Sequence, residues 1–157
     1  MKRREEGQSL VEFALIFPII MLVLFGVFDL GRIVWINNSL SDGSRHGARH
    51  AAIDPRAGDY CGRIDEAIRS AILDQPLSIY RVTYQRVAAS GAVTDFVLCN
   101  DGAASGVTLP ISARPGDRVR VDLVAEVALA TPLIAWATGR DAFQLEAEST
   151  MQVTFAP

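Results

Sequence analysis

The chain has 157 residues, 50% of them hydrophobic, and a formal net charge of −3 at pH 7. This length accommodates one ordinary domain and a membrane anchor, and the hydrophobic content excludes a disordered tail. No stripe of basic residues interleaved with aromatic residues occurs, so nucleic acid is not expected as a partner.

An apolar segment near the N-terminus predicts one membrane span, residues 10–28. Only Glu12, Pro18 and Gly26 interrupt it, and at about 1.5 Å rise per residue it comes close to the roughly 30 Å of a bilayer core. The basic residues at positions 2–4 favour a cytoplasmic N-terminus. A cleaved secretory signal is the alternative, but the run is long for one and no A-x-A-like site follows it.

Glu12 is the unusual residue of this segment. A charge at the centre of a bilayer costs roughly 2.5 to 3.5 kcal/mol on insertion scales, so a carboxylate in a span is a functional hypothesis by default.

Helical periodicity continues past the span and stops at Asp54–Pro55, which predicts one long helix over residues 8–53. Asp29 and Arg32 are expected to form an i,i+3 ion pair at the lipid boundary. Gly43 and Gly47 belong to a stripe of small residues that permits close helix packing. That stripe packs either on the protein's own folded domain or on the helix of another subunit.

The rest of the chain, residues 54–157, predicts a small extracytoplasmic α+β domain. A short amphipathic helix in "RIDEAIRSAILD" precedes two strands, "LSIYRVTYQRV" and "AVTDFVLC", which form a plausible hairpin. An irregular loop rich in Gly, Pro, Ser and Asp follows. The fold class is therefore α+β: a long N-terminal helix packed on a small antiparallel sheet, with one short extra helix.

Two strands with alternating apolar and polar residues end the chain, "RVRVDLVAEVALA" and "FQLEAESTMQVTF". Each should have one buried and one solvated face. The connection between them, "TPLIAWATGRDA", is long enough for a helical turn that places Leu133, Ile134 and Trp136 under the sheet.

Few residues suggest chemistry. Cys61 and Cys99 are the only cysteines; they form a disulfide if the domain is outside the cytoplasm, and are otherwise two buried thiols. His46 and His50 have the spacing of zinc ligands, but no third ligand accompanies them and arginines lie beside them. No nucleophile elbow and no phosphate-binding glycine pattern occurs. We therefore expect neither an enzyme nor a cofactor, metal or small-molecule substrate.

The stretch "EEGQSLVEFALIFPIIML" resembles a prepilin-type leader. More closely, the first third of the chain is similar to the TadE/TadG-like pseudopilins of Tad (Flp-type) pilus assembly. Phe13 stands where many Flp-type motifs have tyrosine. The matching features are Gly7, Val11-Glu12-Phe13, Pro18, Phe25-Gly26, Gly31-Arg32 and the G-A-R-x-A of residues 47–51.

The resemblance implies that a prepilin peptidase of the inner membrane removes residues 1–7 and leaves Gln8 as the new N-terminus. Glu12 would then neutralise the N-terminal ammonium of a neighbouring subunit and set the register of packed helices. Pro18 is either a flexible point or simply tolerated. The implied partners are the inner membrane, other pilins or pseudopilins and the peptidase, with the C-terminal domain in the periplasm or in a pilus. The alternative is a single-pass anchored binding or adhesion domain.

Overall fold

The computed structural model describes residues 5–53, 60–72, 76–101, 103–104, 114, 116–131, 135–136 and 138–154. Several predicted features lie outside these residues: the basic residues 2–4, the helix stop at Asp54–Pro55, Leu133, Ile134 and Phe155.

Two helices and five strands make up the described fold. Helix α1 (Glu5–Ile53) is followed by α2 (Tyr60–Ile72), β1 (Ile79–Val87), β2 (Val93–Asn100), the two-residue β3 (Ala103–Ala104), β4 (Arg118–Ala128) and β5 (Ala142–Gln152). The strands form one sheet in the order β3-β2-β1-β4-β5, and β1 pairs antiparallel with both β2 and β4. The predicted α+β class is confirmed.

The chain divides into two compact units. One consists of Met1–Val34 with Val127–Phe143, and the other of Trp35–Glu126 with Gln144–Pro157. The core described below belongs to the second unit.

The inward face of β4 forms one wall of this core. Val119, Val121, Leu123 and Ala125 are buried, at no more than 2% exposure each. The polar residues between them, such as Glu126, face away, so the period-2 pattern of the sequence predicted the buried face correctly.

The amphipathic helix α2 packs its apolar face into the same core. Its buried residues are Cys61, Ile64, Ile68 and Ile72, a spacing of three and four residues. The C-terminal part of α1 contributes Leu40, Ala48 and Ala51, all fully buried.

Strand β1 departs from the simple alternation. Tyr80, Val82, Thr83 and Tyr84 are buried, whereas Ile79 is 43% exposed. The pairing with β2 shifts between Val82 and Thr83, and such a bulge locally disrupts the ladder. Strands β1 and β2 form the predicted hairpin, and Gly91 has a φ of 82° in its connection, where a left-handed backbone favours glycine.

The connection between β4 and β5 contains the predicted helical turn, but the predicted position of its tryptophan is wrong. Ala135 and Trp136 are helical, and the Ala135 N–H donates to the Thr131 carbonyl at 3.2 Å. Trp136 is 83% exposed instead of lying under the sheet. Along β5 itself, half-buried residues alternate with exposed ones.

Candidate functional site

The N-terminal half of α1 exposes apolar side chains on all sides. An 18-residue window of this helix is apolar enough to cross a bilayer by length and composition, and none of it is buried. Leu10 is 70% exposed and Phe28 is 66% exposed. A helix that is apolar all round requires an apolar environment, so this segment is the membrane anchor.

The predicted processing residues lie at the start of this helix. Gly7 is exposed, and a Cβ atom added to it would meet nothing within 4 Å. The side-chain amide of Gln8 donates to Glu12 Oε1 at 3.4 Å, one turn further along. Glu12 itself is exposed among apolar neighbours.

Helix α1 continues through Pro18. Proline has no N–H, so it cannot donate to the carbonyl four residues earlier, that of Ala14. Just before it, the rings of Phe13 and Phe17 lie 5.4 Å apart on one face.

Asp29 lies directly after the apolar segment and is buried, at 4% exposure. Its carboxylate accepts hydrogen bonds from the backbone N–H of Ala130 at 3.2 Å and of Thr131 at 3.0 Å, and from the Thr131 hydroxyl. Among the described residues Arg32 makes no direct ion pair with Asp29, although its charge still acts on this carboxylate. Arg32 instead donates to the Ala128 carbonyl at 3.4 Å.

The small-residue stripe of α1 lies against α2 and β4. A Cβ atom on Gly43 would lie 2.5 Å from Ile72 Cγ2 and 3.5 Å from Leu123 Cδ1. At Gly47 it would lie 2.7 Å from Ile68 Cγ1 and Cδ1. A side chain at either position would require the neighbouring isoleucine or α2 to shift, because real Cβ atoms do not come within 3.0 Å of such groups.

Cys61 and Cys99 form a disulfide that joins the start of α2 to the end of β2, with Cα atoms 5.7 Å apart. Disulfides persist in oxidising compartments, which is consistent with a domain outside the cytoplasm. Close by, the Tyr60 hydroxyl donates to the Ala51 carbonyl at 3.1 Å and connects α2 to the end of α1.

A second buried carboxylate, Asp117, precedes β4 and was not anticipated from the sequence. It accepts hydrogen bonds from the Tyr84 hydroxyl, the Arg114 N–H at 2.9 Å and the Val87 N–H at 3.2 Å. Its own carbonyl accepts from the Val153 N–H at 2.8 Å. One residue therefore connects the ends of β1, β4 and β5.

The pKa values of Asp117 and Tyr84 are both shifted by their surroundings. Burial raises the pKa of Asp117, but the hydrogen bonds from Tyr84, Arg114 and Val87 and the charge of Arg86 outweigh it, so the pKa is lowered. Burial, together with the hydrogen bond to Asp117, raises the pKa of Tyr84 to about 12. In sequence, "RPGD" has the composition of a turn, and nothing in it indicates a buried carboxylate.

His46 and His50 are both exposed on α1. His50 lines a small pocket with Ile53, Tyr60, Arg63 and Ile64. Within the described residues, no group of three or more His, Cys, Asp or Glu side chains is placed to hold a metal ion.

Comparison with known protein families gives a match to the N-terminal helix. Residues 7–49 match the family model described as TadE-like protein. Searches of curated proteins and of solved structures found no match. The matched region contains Gly7, Glu12, Pro18 and both packing glycines. The N-terminal helix of this membrane-anchored protein is therefore TadE-like, as its motifs predicted.

Proposed function

We propose that this protein is a pseudopilin or minor pilin that initiates, caps or stabilises a Tad-type pilus. The observation that carries the proposal is the N-terminal half of α1, which is TadE-like, apolar on all sides and exposed, with one carboxylate near its start. Such a helix inserts in a bilayer and can also pack against equivalent helices of other subunits.

Processing after Gly7 supplies the partner of that carboxylate. Removal of residues 1–7 by a prepilin peptidase creates an ammonium at Gln8, about 6 Å from Glu12 along the helix axis. A neighbouring subunit displaced axially by that distance brings its ammonium level with Glu12. In lipid such a pair is little screened, so it sets the register of packed helices.

The local contacts of Glu12 are compatible with this role. Within the described residues, its hydrogen-bond partner is the neutral amide of Gln8 at the long distance of 3.4 Å. An exposed contact of this kind contributes little, so a neighbour's ammonium displaces it readily.

We propose that the domain after α1 lies in the periplasm, or outside the cell when built into a pilus. The disulfide between Cys61 and Cys99 supports this orientation. We assign no catalytic role, because the buried carboxylates Asp29 and Asp117 accept hydrogen bonds from the protein's own backbone.

The first experiment determines the N-terminus of the protein recovered from membranes, with and without the cognate prepilin peptidase. We expect a chain that begins at Gln8 only when the peptidase is present. A chain that retains residues 1–7 in both strains would refute processing and favour a permanently anchored binding or adhesion domain.

The second experiment tests Glu12 with a matched control. Glu12→Gln removes the charge with little change in size, and Glu126→Gln removes an exposed carboxylate from β4. We expect the first variant to insert in the membrane but to be lost from pilus fractions, and the second to behave as wild type. Normal incorporation of Glu12→Gln would show that the register role is wrong.

A further inference from the structure

The connection between β4 and β5 presents an exposed tryptophan that no contact described so far explains. Trp136 is 83% exposed, the largest exposure among the exposed large hydrophobic side chains of the described residues. It forms one wall of an open pocket with Leu129, Ala135, Gly139 and Asp141.

Backbone hydrogen bonds between described residues join the two ends of this connection. The Leu129 N–H donates to the Asp141 carbonyl at 3.0 Å, which brings the two ends together. The Arg140 N–H donates to the Ala135 carbonyl at 3.2 Å and closes the turn after Trp136. Trp136 thus directly follows a residue whose backbone N–H and carbonyl are both hydrogen-bonded.

The base is held at a known position along α1. Asp29 accepts hydrogen bonds from the backbone N–H groups of Ala130 and Thr131, and Arg32 donates to the Ala128 carbonyl. Asp29 is the residue directly after the apolar segment that ends at Phe28. The attachment therefore lies where α1 leaves the hydrocarbon core.

The Ala135 N–H donates to the Thr131 carbonyl at 3.2 Å, which keeps Trp136 next to the backbone that Asp29 holds. The ring is thus close to the level at which the helix meets the lipid headgroups. Tryptophan is enriched at that level because its ring is apolar and its indole N–H can remain hydrated.

The charges of the connection fit the same environment. Residues 131–140 contain no acidic residue, and their one charged residue is Arg140. Arg32, at the base, is exposed as well. An exposed arginine, Arg140, in the connection and another, Arg32, at its base suit the phosphates of lipid headgroups. Asp141, next to Arg140, is an exposed opposing charge.

From this geometry we propose that the β4–β5 connection is a second membrane contact, in which Trp136 inserts into the interfacial region of the bilayer that α1 spans. Asp29 positions this contact by holding the connection at the lipid boundary. The occupant of the exposed surface is thus lipid rather than another protein subunit.

The test uses the full chain in nanodiscs that contain zwitterionic and anionic phospholipids. Trp35→Phe leaves Trp136 as the single tryptophan, and Trp136→Phe leaves Trp35 as the matched control. Trp35 lies seven residues beyond Phe28 on α1, about 10 Å further from the hydrocarbon core. Fluorescence is compared between nanodiscs with ordinary lipids and with lipids brominated near the headgroup end of the acyl chain.

We expect bromine to reduce Trp136 emission about twofold or more and to leave Trp35 emission nearly unchanged. Only a ring at the boundary between headgroups and acyl chains meets the bromines. Trp136 emission that bromine does not reduce would overturn the proposal. If that unquenched Trp136 is also shielded from aqueous iodide, a protein contact covers it instead. Equal quenching of Trp136 and Trp35 would also overturn the proposal, because it would contradict the depth assigned to Trp136.

Discussion

Replacing Gly43 by alanine tests how closely α1 packs on the rest of its unit. The new Cβ atom would lie 2.5 Å from Ile72 Cγ2, whereas carbon atoms in contact are normally about 3.5 to 4.0 Å apart. That methyl group is bonded directly to the Cβ atom of Ile72, so it moves only if χ1 changes or α2 shifts. Ile72 is fully buried, which restricts both movements.

Two opposing effects set the magnitude. Overpacking in a core costs about 1 to 3 kcal/mol. Alanine is favoured over glycine in a helix by about 1 kcal/mol. We therefore expect Gly43→Ala to lower the free energy of unfolding by about 1 kcal/mol, the central overpacking cost less the gain in helix propensity.

Gly31→Ala is the matched control, because Gly31 is in the same helix and a Cβ atom there would meet nothing within 4 Å. It is expected to be neutral or stabilising by up to about 1 kcal/mol. A third variant combines Gly43→Ala with Ile72→Leu, which removes the Cγ2 methyl group that the new Cβ atom would meet. It should recover part of the stability lost in Gly43→Ala, since the effects of substitutions at contacting residues are not additive.

The assay is urea unfolding of the oxidised full chain in detergent micelles, monitored by tryptophan fluorescence and near-ultraviolet circular dichroism. Gly43→Ala as stable as Gly31→Ala would refute the close approach of α1 to α2. If the stability losses of the two single substitutions simply add in the double variant, the Cγ2 methyl group of Ile72 is not the cause of the destabilisation.

Three further perturbations test the buried polar and covalent links. Asp117→Asn should destabilise the domain by about 2 kcal/mol at neutral pH, because charge-assisted hydrogen bonds are lost; unfolding at neutral pH unchanged by the substitution would contradict this. The lowered pKa of Asp117 means that its contribution is present above the ordinary carboxyl pKa of 3.8 and is lost as the pH falls through the folded pKa. Acid unfolding of the variant should accordingly be less steep than that of wild type. Because the pKa of Tyr84 is raised to about 12 from 10.0, stability should also fall as the pH rises above 10; a flat alkaline profile would argue against a buried hydroxyl. Replacing Cys61 and Cys99 by serine should cost about 4 kcal/mol in the chain-entropy model for this separation of 38 residues, and a loss below about 1 kcal/mol in urea unfolding would contradict that account. Asp29→Ala should release the β4–β5 connection and speed tryptic cleavage after Arg140, whereas an unchanged cleavage rate would mean that Asp29 does not hold it.

Elements with a strong local period were predictable from the sequence. The alternation of Val119, Val121 and Leu123 identified the buried face of β4, because a strand places successive side chains on opposite faces. The spacing of Ile64, Ile68 and Ile72 identified the buried face of α2 in the same way. The bulge in β1 was not predictable, because it depends on the pairing partner and not on the strand alone.

In the candidate site, too, contiguous patterns were predictable and long-range contacts were not. The roles of Gly7, Glu12 and Pro18 stay predictions. The apolar segment was predictable from the sequence, because a span is a contiguous pattern. The partners of Asp29 were not, because Ala130 and Thr131 follow it by 101 and 102 residues. Local spacing pointed to Arg32, whose charge acts on Asp29 without a direct contact.

By itself, the sequence determined the membrane-spanning helix and the α+β class, because each depends on the hydrophobic pattern of consecutive residues. The TadE-like N-terminus was identified by the resemblance of its motifs. The tertiary structure alone decided that Asp29 and Asp117 hold distant backbone groups and that Trp136 is exposed. Burial of a polar group is compensated only by donors that the fold brings to it, and the exposure of a ring depends on which other side chains fill the core.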